Sequence, residues 1–248
     1  MPAQPVLWLA CGVAEVPDDN GWLTPPEAAR LNRMRYVKRR SEARLGRWTA
    51  KRTLARALGL PGDAAGLNRI VIRNAPDGAP YAIVDDAPAP FTIAMTDRAD
   101  WAACALIGSD DRIGCDLELV EPRSDRFVED YFTPAEQRTV RSGDIPLLAN
   151  LVWSAKESAL KVLRTGLRSD TRSVEVRLDD VVGDGPWHPL TVATDDGRMF
   201  PGWWLRYGEF LLTVVGAVET PPPTSLQEPS PLATATPSHT WMRSPLRR

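Results

Sequence analysis

Two short segments say most about the fold and chemistry of this chain: residues 113–118, which read IGCDLE, and residues 153–161, which read WSAKESALK. The first alternates apolar and polar side chains as a β-strand does, so Asp116 and Glu118 share one face. The second places Glu157 one helical turn before a lysine. If the segments meet, three carboxylates form an all-oxygen set that suits Mg²⁺, and the lysine suits a leaving phosphate.

Each segment also has a simpler interpretation when it is taken alone. The strand could be an edge strand with a solvated acidic face, and Glu157 and Lys161 could be an exposed pair worth roughly 0.2–0.5 kcal/mol. Two neighbouring residues favour a functional site instead. Gly114 is a poor strand former that leaves room for the close approach of a ligand. Trp153 lies one turn before Glu157, which indicates that this face of the helix is covered.

The composition excludes several classes of protein. With 248 residues, of which 43% are hydrophobic, the chain can form one large domain or two lobes with a real core. Its formal net charge of −2 gives no general attraction to nucleic acid or acidic membranes. No apolar run approaches the roughly 20 residues of a membrane helix, and the N-terminus lacks a basic signal-peptide region. We therefore expect a soluble, unexported protein with neither nucleic acid nor membrane as a partner.

The cysteines and histidines narrow the chemistry further. Cys11, Cys104 and Cys115 lie in apolar segments without C-x-x-C spacing, which is typical of reduced core thiols in the cytoplasm. The histidines are His188 and His239. A Ser-His-Asp triad or a histidine-based zinc site is therefore not expected.

Helices and strands are predicted in both halves of the chain. Thr-Pro-x-Glu sequences that begin at Thr24 and Thr133 are helix-start signals, with a threonine cap, proline at the first position and glutamate at the third. Longer helices are predicted over residues 41–58 and 146–164, each closely followed by a glycine. Turn residues at 108–111 separate two strand-like runs, which predicts a hairpin between those runs.

The predicted architecture is α+β with two lobes. We assign residues 1–104 to an N-terminal lobe and residues 105–219 to a C-terminal lobe that carries the acidic segment. Residues 220–248 are rich in Pro, Ser and Thr. They are predicted to be a disordered tail because they cannot bury enough apolar surface to offset the entropy of ordering. No clear internal sequence repeat is evident.

The order of the motifs resembles the 4′-phosphopantetheinyl transferase superfamily. The resemblance rests on Gly114-x-Asp116-x-Glu118, FTPAE at 132–136, WSxKESxxK at 153–161 and Gly166-Leu167. It covers about residues 6–218, and the length resembles the Sfp-type, in which two similar α+β lobes of one chain form a pseudo-dimer. It implies transfer of 4′-phosphopantetheine from coenzyme A to a serine of an apo acyl or peptidyl carrier protein, with release of 3′,5′-ADP. Such carriers serve fatty acid, polyketide or nonribosomal peptide biosynthesis.

The resemblance also implies roles for individual residues. Asp116, Glu118 and Glu157 are implied as ligands of a Mg²⁺ ion that holds the pyrophosphate. Lys161 would stabilise or protonate the leaving phosphate, and Glu157 or a metal-associated water would help deprotonate the acceptor serine. Glu136 matches an acidic family position near the metal, but it could equally be the glutamate of a capping box. Positioning and charge neutralisation would then dominate the catalysis.

Basic residues of the first half are implied in coenzyme A binding. Arg44, Arg47 and Lys51 fall at i, i+3 and i+7 on one face of the predicted helix, where the family grips the 3′-phosphate of coenzyme A. The alternative is a solvated basic face. Thr96 and Lys156 complete the implied coenzyme A contacts.

The chain departs from the family pattern at two positions. The family commonly has Ser-His-Ser where residues 94–96 read Ala-Met-Thr, so Met95 replaces a phosphate-binding histidine and Thr96 keeps one hydroxyl. It often has Gly-Lys-Pro where residues 78–80 read Gly-Ala-Pro, so Ala79 replaces a lysine. We therefore predict a monomeric, working transferase with a remodelled or weakened nucleotide site. The alternatives are a degenerate member that binds coenzyme A or a carrier protein without efficient catalysis, and an unrelated Mg²⁺ phosphohydrolase.

Overall fold

The computed structural model describes residues 4–178 and 185–239, which form an α+β fold, as the sequence predicts. The strands are β1 (Leu7–Gly12), β2 (Ile70–Asn74), β3 (Pro80–Val84), β4 (Ala87–Pro88), β5 (Phe91–Arg98), β6 (Trp101–Gly108), β7 (Ile113–Leu119), β8 (Val174–Leu178), β9 (His188–Thr194), β10 (Met199–Tyr207), β11 (Phe210–Gly216) and β12 (Thr224–Ser225). The α-helices are α1 (Pro25–Asn32), α2 (Val37–Leu58), α3 (Ala64–Asn68), α4 (Asp125–Tyr131), α5 (Pro134–Arg141) and α6 (Ile145–Leu163). Within the described ranges, no helix is both long and apolar enough to cross a membrane.

Two main sheets are stacked between the two longest helices. The first sheet has the strand order β12-β1-β6-β5, and the second has the order β7-β11-β10-β9-β8. Helix α2 packs on the first sheet, and helix α6 packs on the second. A small sheet of β2, β3 and β4 lies beside α2 and β5. Strands β5 and β7, each at the end of its own sheet, lie against each other, so the two sheets meet at their edges.

The alternation of side chains along the strands produces this layered core. Leu9 and Cys11 of β1 point into the cluster beneath α2, whereas Trp8 and Ala10 point into the cluster between the two sheets. A third cluster fills the space between α6 and the second sheet. Because β1 and β7 are covered on both faces, nearly all of their residues are buried. The three cysteines are free and buried, as the sequence predicts.

The predicted hairpin differs from the structure. The turn at residues 108–111 is present, but β6 and β7 join different sheets and do not pair. Strand β6 pairs with β5 through a tight turn in which Ala99 and Asp100 have positive φ, and β7 pairs with β11. Strand β6 runs without a break across residues 104 and 105, and the chain passes from the first sheet to the second at residues 109–112. The predicted boundary between the lobes stays a prediction.

A buried ion pair ties α1 to α2 in the first half of the chain. Thr24 caps α1, and Glu27 accepts a hydrogen bond from the backbone N–H of Thr24 at 3.0 Å. The other oxygen of Glu27 accepts the backbone N–H of Ile72 in β2 at 3.0 Å. Lys51 of α2 lies 2.6 Å from Glu27 and donates to the carbonyl of Trp22. The carboxylate therefore joins two helices and a strand.

The second half of the chain repeats this arrangement. Thr133 caps α5, and Glu136 accepts the backbone N–H of Thr133 at 2.7 Å. The other oxygen of Glu136 accepts the backbone N–H of Val176 in β8 at 2.7 Å. Lys156 of α6 lies 2.8 Å from Glu136 and donates to the carbonyl of Thr171. The two halves thus share a capping glutamate, a helical lysine and a strand N–H that the single sequence did not reveal as a repeat.

The segment predicted to be a disordered tail is ordered over residues 220–239. Strand β12 pairs in parallel with β1, and the backbone N–H groups of Thr224 and Leu226 donate to carbonyls of β1 at 2.8 Å. Leu232 is 1% exposed and lies in the cluster between the sheets. The composition did not predict this ordered segment, because a few buried apolar side chains and backbone hydrogen bonds to an existing sheet offset the entropy cost of ordering. Residues 240–248 of the predicted tail lie outside the described residues.

Candidate active site

Helix α6 crosses strand β7 in direct contact at Gly114. A Cβ atom on Gly114 would lie 1.9 Å from the carbonyl oxygen of Ser158 and 2.9 Å from Cβ of Lys161. The sequence-based reason for this glycine was therefore wrong, because the space it leaves is filled by the helix and not by a ligand. Ser154 of α6 also donates to the carbonyl of Asp116 at 3.1 Å. The close approach brings the acidic face of β7 against α6, so the two segments meet as predicted.

Asp116 is the centre of the polar contacts between β5, β7 and α6. One of its carboxylate oxygens, Oδ1, accepts hydrogen bonds from Thr96 Oγ1 at 3.1 Å and from Lys161 Nζ at 2.9 Å. Lys161 also donates to the carbonyl of Cys115 at 2.7 Å. The other carboxylate oxygen, Oδ2, is buried and has no hydrogen-bond partner among the described residues. A buried carboxylate oxygen without a partner is costly unless a cation or water completes it.

Glu157 carries negative charge into the same place. Burial raises its pKa to about 7, and the carboxylates of Asp116 and Glu118 add to the shift, while Lys161 opposes it. Its carboxylate has no hydrogen bond or ion pair with other residues in the described part of the chain. Trp153, one turn earlier, packs against aromatic residues of α4, so the predicted cover of this face is confirmed.

Glu118 has a different environment from the other two carboxylates. Its Oε2 atom lies 3.2 Å from Arg98 Nε and 3.2 Å from Arg123 Nη2. Burial raises the pKa of Glu118, and the charge of Asp116 adds to this, while both arginines lower it. Arg98 also pairs with Glu121 at 2.5 Å. Glu118 is therefore paired with arginines by charge, unlike Asp116 and Glu157, while its Oε2 atom has no hydrogen bond among the described residues.

The carboxylates fit a Mg²⁺ ion in part. No group of three or more His, Cys, Asp or Glu side chains is arranged to hold a metal within residues 4–178 and 185–239. However, Mg²⁺ commonly takes one or two protein carboxylates and completes its shell with water and substrate phosphate oxygens. Asp116 offers a buried oxygen without a partner, and Glu157 offers a carboxylate with raised pKa that a cation would stabilise. These two residues fit the ion, whereas Glu118 would first have to leave its arginines.

A cavity of about 660 Å³ opens beside this acidic group. Its wall combines β5 and the 77–80 loop of the first half with the start of β7, the end of α6 and residues 164–168 of the second half. Apolar residues of β5 and α6 form much of the wall. Four cationic side chains and one acidic side chain line it: Arg112, Lys161, Arg164, Arg168 and Asp77. A cavity with this excess of positive charge favours an anionic ligand with an apolar part.

Ala79 and Met95, the two departures from the family pattern, both line this cavity. The side chain of Met95 reaches α2, where a Cβ on Gly46 would lie 3.1 Å from Met95 Cε. Neither side chain can donate a hydrogen bond to a phosphate. Any phosphate bound in this cavity must therefore be held by other residues of its wall.

Three of the predicted site residues are parts of the buried ion pairs. Lys51 and Lys156 are both 0% exposed, and burial lowers the pKa of each lysine while the carboxylate partners raise it. Glu136 is 1% exposed, so the capping-box interpretation describes its contacts and the interpretation as an acid near the metal does not. None of the three lines the cavity. Each is paired with partners within the fold, and the predicted roles of the three residues at the site stay predictions.

The remaining predicted contacts do not line this cavity, and Arg44 lines a different one. Arg44 donates to the carbonyls of Pro17 and Asp19 at 2.5 and 3.1 Å, which ties α2 to the loop after β1. Arg47 is 6% exposed, donates to the carbonyl of Ala43, and has an Nε atom without a partner among the described residues. Thr96 donates to Asp116 and accepts the backbone N–H of Leu117, so it orients the acidic strand.

Sequence reasoning missed the arginines at the end of α6. Arg164 lies three residues after Lys161, and Arg168 follows one turn later, so both continue past the end of the motif on which the prediction rests. Their helical spacing from Lys161 was a usable signal. Arg112 carried no comparable signal, because its place at the cavity depends on how β6 and β7 separate.

Comparison with known proteins supports the resemblance in the part of the chain that carries the acidic strand and α6. Residues 112–184 match the family model described as the 4′-phosphopantetheinyl transferase superfamily. No curated protein matches the chain. The matched segment contains Asp116, Glu118, Glu157 and Lys161 and lies entirely in the second half of the chain. It also contains Arg164 and Arg168.

Proposed function

We propose that this chain, whose residues 112–184 match the family model of the 4′-phosphopantetheinyl transferase superfamily, transfers 4′-phosphopantetheine from coenzyme A to a serine of an apo carrier protein. The observation that carries the proposal is the position of Lys161. Its ammonium group pairs with Asp116 and lines the positively charged cavity. The cavity offers space for a nucleotide, and Lys161 connects its wall to Asp116, so the phosphates of the ligand would extend towards the carboxylates.

The reaction breaks the phosphoanhydride bond of the pyrophosphate and forms a phosphodiester bond to serine. The serine Oγ of the carrier attacks the phosphorus that bears pantetheine, and its proton passes to a base. The bond from that phosphorus to the oxygen of the second phosphate breaks, and 3′,5′-ADP leaves. Negative charge develops on the leaving oxygen, so a cation at that point lowers the barrier.

The side chains of the site match the needs of this reaction. Lys161 would donate a hydrogen bond or a proton to the leaving phosphate oxygen. Asp116 holds Lys161 in place, and Thr96 fixes the orientation of Asp116. Asp116 and Glu157 would hold Mg²⁺, with Glu118 as a further ligand if its arginines release it. When bound, the ion would neutralise the pyrophosphate and polarise the phosphorus that is attacked.

We further propose that the two halves form a pseudo-dimer within one chain. The repeated glutamate–lysine pairs, Glu27 with Lys51 and Glu136 with Lys156, support this. Since both halves supply walls of the cavity, a single chain contains the whole site, and we expect the enzyme to be a monomer. The free cysteines agree with a reducing compartment such as the cytoplasm, where coenzyme A is available.

The proposal is tested by mass spectrometry on a panel of apo carrier proteins from fatty acid, polyketide and nonribosomal peptide systems. Each carrier is incubated with the full chain, Mg²⁺ and saturating coenzyme A. We expect at least one carrier to gain the mass of phosphopantetheine. No gain on any carrier from the folded protein would contradict the proposal.

A second candidate function is a binding protein that holds coenzyme A or a carrier without transfer. Ala79 and Met95, which leave the cavity without a lysine and a histidine, favour it. The partnerless Asp116 Oδ2 and the position of Lys161 favour transfer. Calorimetry on Glu157→Ala separates the two. Unchanged coenzyme A binding in Mg²⁺, together with no turnover by the wild type, would favour the binding protein.

A further inference from the structure

The cavity has cationic groups at two separate places. Lys161 lies at the carboxylate end, where it pairs with Asp116. Arg164 and Arg168 lie beyond the end of α6 and reach across to the loop of the first half that carries Asp77. The third arginine of the wall, Arg112, lies just before β7. The wall is therefore suited to a ligand with two separated anionic groups.

Coenzyme A has two such groups, the pyrophosphate and the 3′-phosphate. The bond that breaks in the proposed reaction is in the pyrophosphate, so the pyrophosphate must lie at the end of Lys161 and Asp116. The 3′-phosphate must then lie elsewhere in the cavity. We propose that Arg164 and Arg168, assisted by Arg112, form the subsite that holds the 3′-phosphate of coenzyme A. This inference rests on the proposed function of the same cavity.

The present contacts of these arginines leave their charges available. Arg164 approaches Asp77 at 3.6 Å, and its side chain is 42% exposed. Among the residues that the structure describes, Arg168 donates only to the backbone carbonyls of Thr165, Arg164 and Asp77, which do not neutralise its charge. The guanidinium of Arg112 has no ion pair or hydrogen bond with other groups in the described part of the chain. In the described wall of the cavity, the carboxylate of Asp77 is the one negative charge beside three guanidinium groups. A phosphate dianion would neutralise the remaining positive charge.

The backbone at Arg164 gives independent support. Arg164 ends α6 in the left-handed conformation, with φ of 59°. Glycine is the usual residue in this conformation at the end of a helix, and a residue with a side chain is uncommon there. An arginine at this position suggests that its side chain has a use that outweighs the conformational cost. The cavity beside it supplies such a use.

This backbone conformation also provides a variant that is not expected to unfold. Arg164→Gly relieves the left-handed strain, so its melting temperature should equal or exceed that of the wild type. Arg168→Gln removes the second charge at an exposed position. Arg177→Gln, an exposed arginine of β8 that does not line the cavity, is the matched control. Lys161→Met tests the opposite end of the cavity.

The test is calorimetric titration of the full chain with coenzyme A and with dephospho-coenzyme A, which lacks the 3′-phosphate. We expect the wild type to bind coenzyme A about tenfold or more tightly than dephospho-coenzyme A, the effect of a lost charge-assisted hydrogen bond. The Arg164→Gly/Arg168→Gln variant should bind both ligands equally, at the wild-type affinity for dephospho-coenzyme A. Lys161→Met should weaken both ligands by the same factor, and Arg177→Gln should change neither.

Two results would overturn the inference while the proposed function stands. One is a double variant that binds coenzyme A as the wild type does. The other is an equal loss of affinity for both ligands, which would place the arginines at another part of the coenzyme. Conversely, 3′,5′-ADP could bind in a way that depends on the arginines while no carrier is modified. That result would support the phosphate subsite and contradict the proposed transferase activity. A wild type that binds neither coenzyme A nor 3′,5′-ADP would reject both.

Discussion

At the scale of single residues, Lys161 links the acidic group to the cavity. Its ammonium group is shared between Asp116 and the carbonyl of Cys115 in the present arrangement. Although burial opposes it, the carboxylate of Asp116 raises the pKa of Lys161, so the side chain stays protonated. A protonated lysine can donate to a leaving phosphate and does not need activation. This makes Lys161 the residue whose loss should affect catalysis most selectively.

We expect Lys161→Met to lower kcat for carrier modification by at least about 100-fold, because a positioned donor to the leaving group is lost. Lys161→Arg, which keeps the charge, should retain more activity than Lys161→Met. Steady-state kinetics with a responsive carrier check this, with Arg177→Gln as a control that keeps wild-type kcat. Equal kcat for Lys161→Met and the wild type would show that the lysine has no part in the reaction.

A second residue-scale prediction concerns Gly114. Gly114→Ala places a methyl group against the backbone of α6, and overpacking of this kind typically costs about 1–3 kcal/mol. The shift of α6 would also displace Lys161, so activity should fall with stability. Urea unfolding measures the first effect. Gly62→Ala is the matched control, since a methyl group there meets nothing within 4 Å; a Gly114→Ala protein as stable as this control would disprove the close contact.

Single residues also show what the sequence could and could not predict about the site. The spacing of Asp116, Glu118, Glu157 and Lys161 was sufficient to predict that strand and helix meet. It could not show that Arg98 and Arg123 hold Glu118, because those arginines lie on a different strand and in a connecting loop. The spacing of the motif residues in the sequence indicated that they meet, whereas nothing in the sequence marked the two arginines as partners of Glu118.

At the scale of elements, the buried glutamate–lysine pairs anchor each long helix to its sheet. In the second half, the carboxylate of Glu136 accepts backbone N–H groups at the start of α5 and in β8. Lys156 of α6 neutralises the charge of that carboxylate. Sequence patterns predicted both helix starts correctly. They could not show that the capping glutamates face inward, because the partner lysines are 20 or more residues away in the sequence.

We expect Lys156→Met to destabilise the fold by about 3–5 kcal/mol, because it leaves the Glu136 carboxylate buried without its cation. The double variant Glu136→Gln/Lys156→Met should recover part of that loss. Unfolding by denaturant gives the free energies of both variants. If Lys156→Met instead unfolds like the wild type and loses only affinity for coenzyme A, the predicted role in coenzyme binding is right and the buried ion pair does not matter.

The predicted hairpin shows the limit of local turn signals. The Gly-Ser-Asp-Asp run marks a turn, and the structure has one there. A turn does not specify pairing, however, and β7 pairs with β11, which is almost 100 residues later in the chain. Long-range pairing depends on which apolar faces the sheets bury together, and this is not visible from the turn.

At the scale of the whole molecule, residues 220–239 bind the first sheet to the rest of the fold. Strand β12 extends the edge at β1, Arg56 of α2 donates to the carbonyl of Leu226 at 2.9 Å, and Leu232 fills the space between the sheets. The α+β class followed from the sequence because strand and helix patterns are frequent in both halves. The order in this Pro-rich segment did not, because it arises from docking on an edge that already exists.

A chain that ends at residue 219 should therefore be less stable than the full chain by about 2 kcal/mol or more, the value of burying one leucine side chain. Thermal unfolding measures the difference. A chain that ends at residue 239 keeps every contact just named and is the matched control. Equal melting temperatures for the two truncated chains would show that residues 220–239 add nothing to stability.

The central claim is that the acidic strand, α6 and the cavity between the two halves act together as a phosphopantetheinyl transferase. The most direct measurement is the intact mass of an apo carrier protein after incubation with the full chain and coenzyme A, with and without Mg²⁺. The carrier should gain one phosphopantetheine with the wild type and Mg²⁺, and little or none after chelation or with Lys161→Met. No gain on any carrier with the wild type, or an undiminished gain with Lys161→Met, would contradict it.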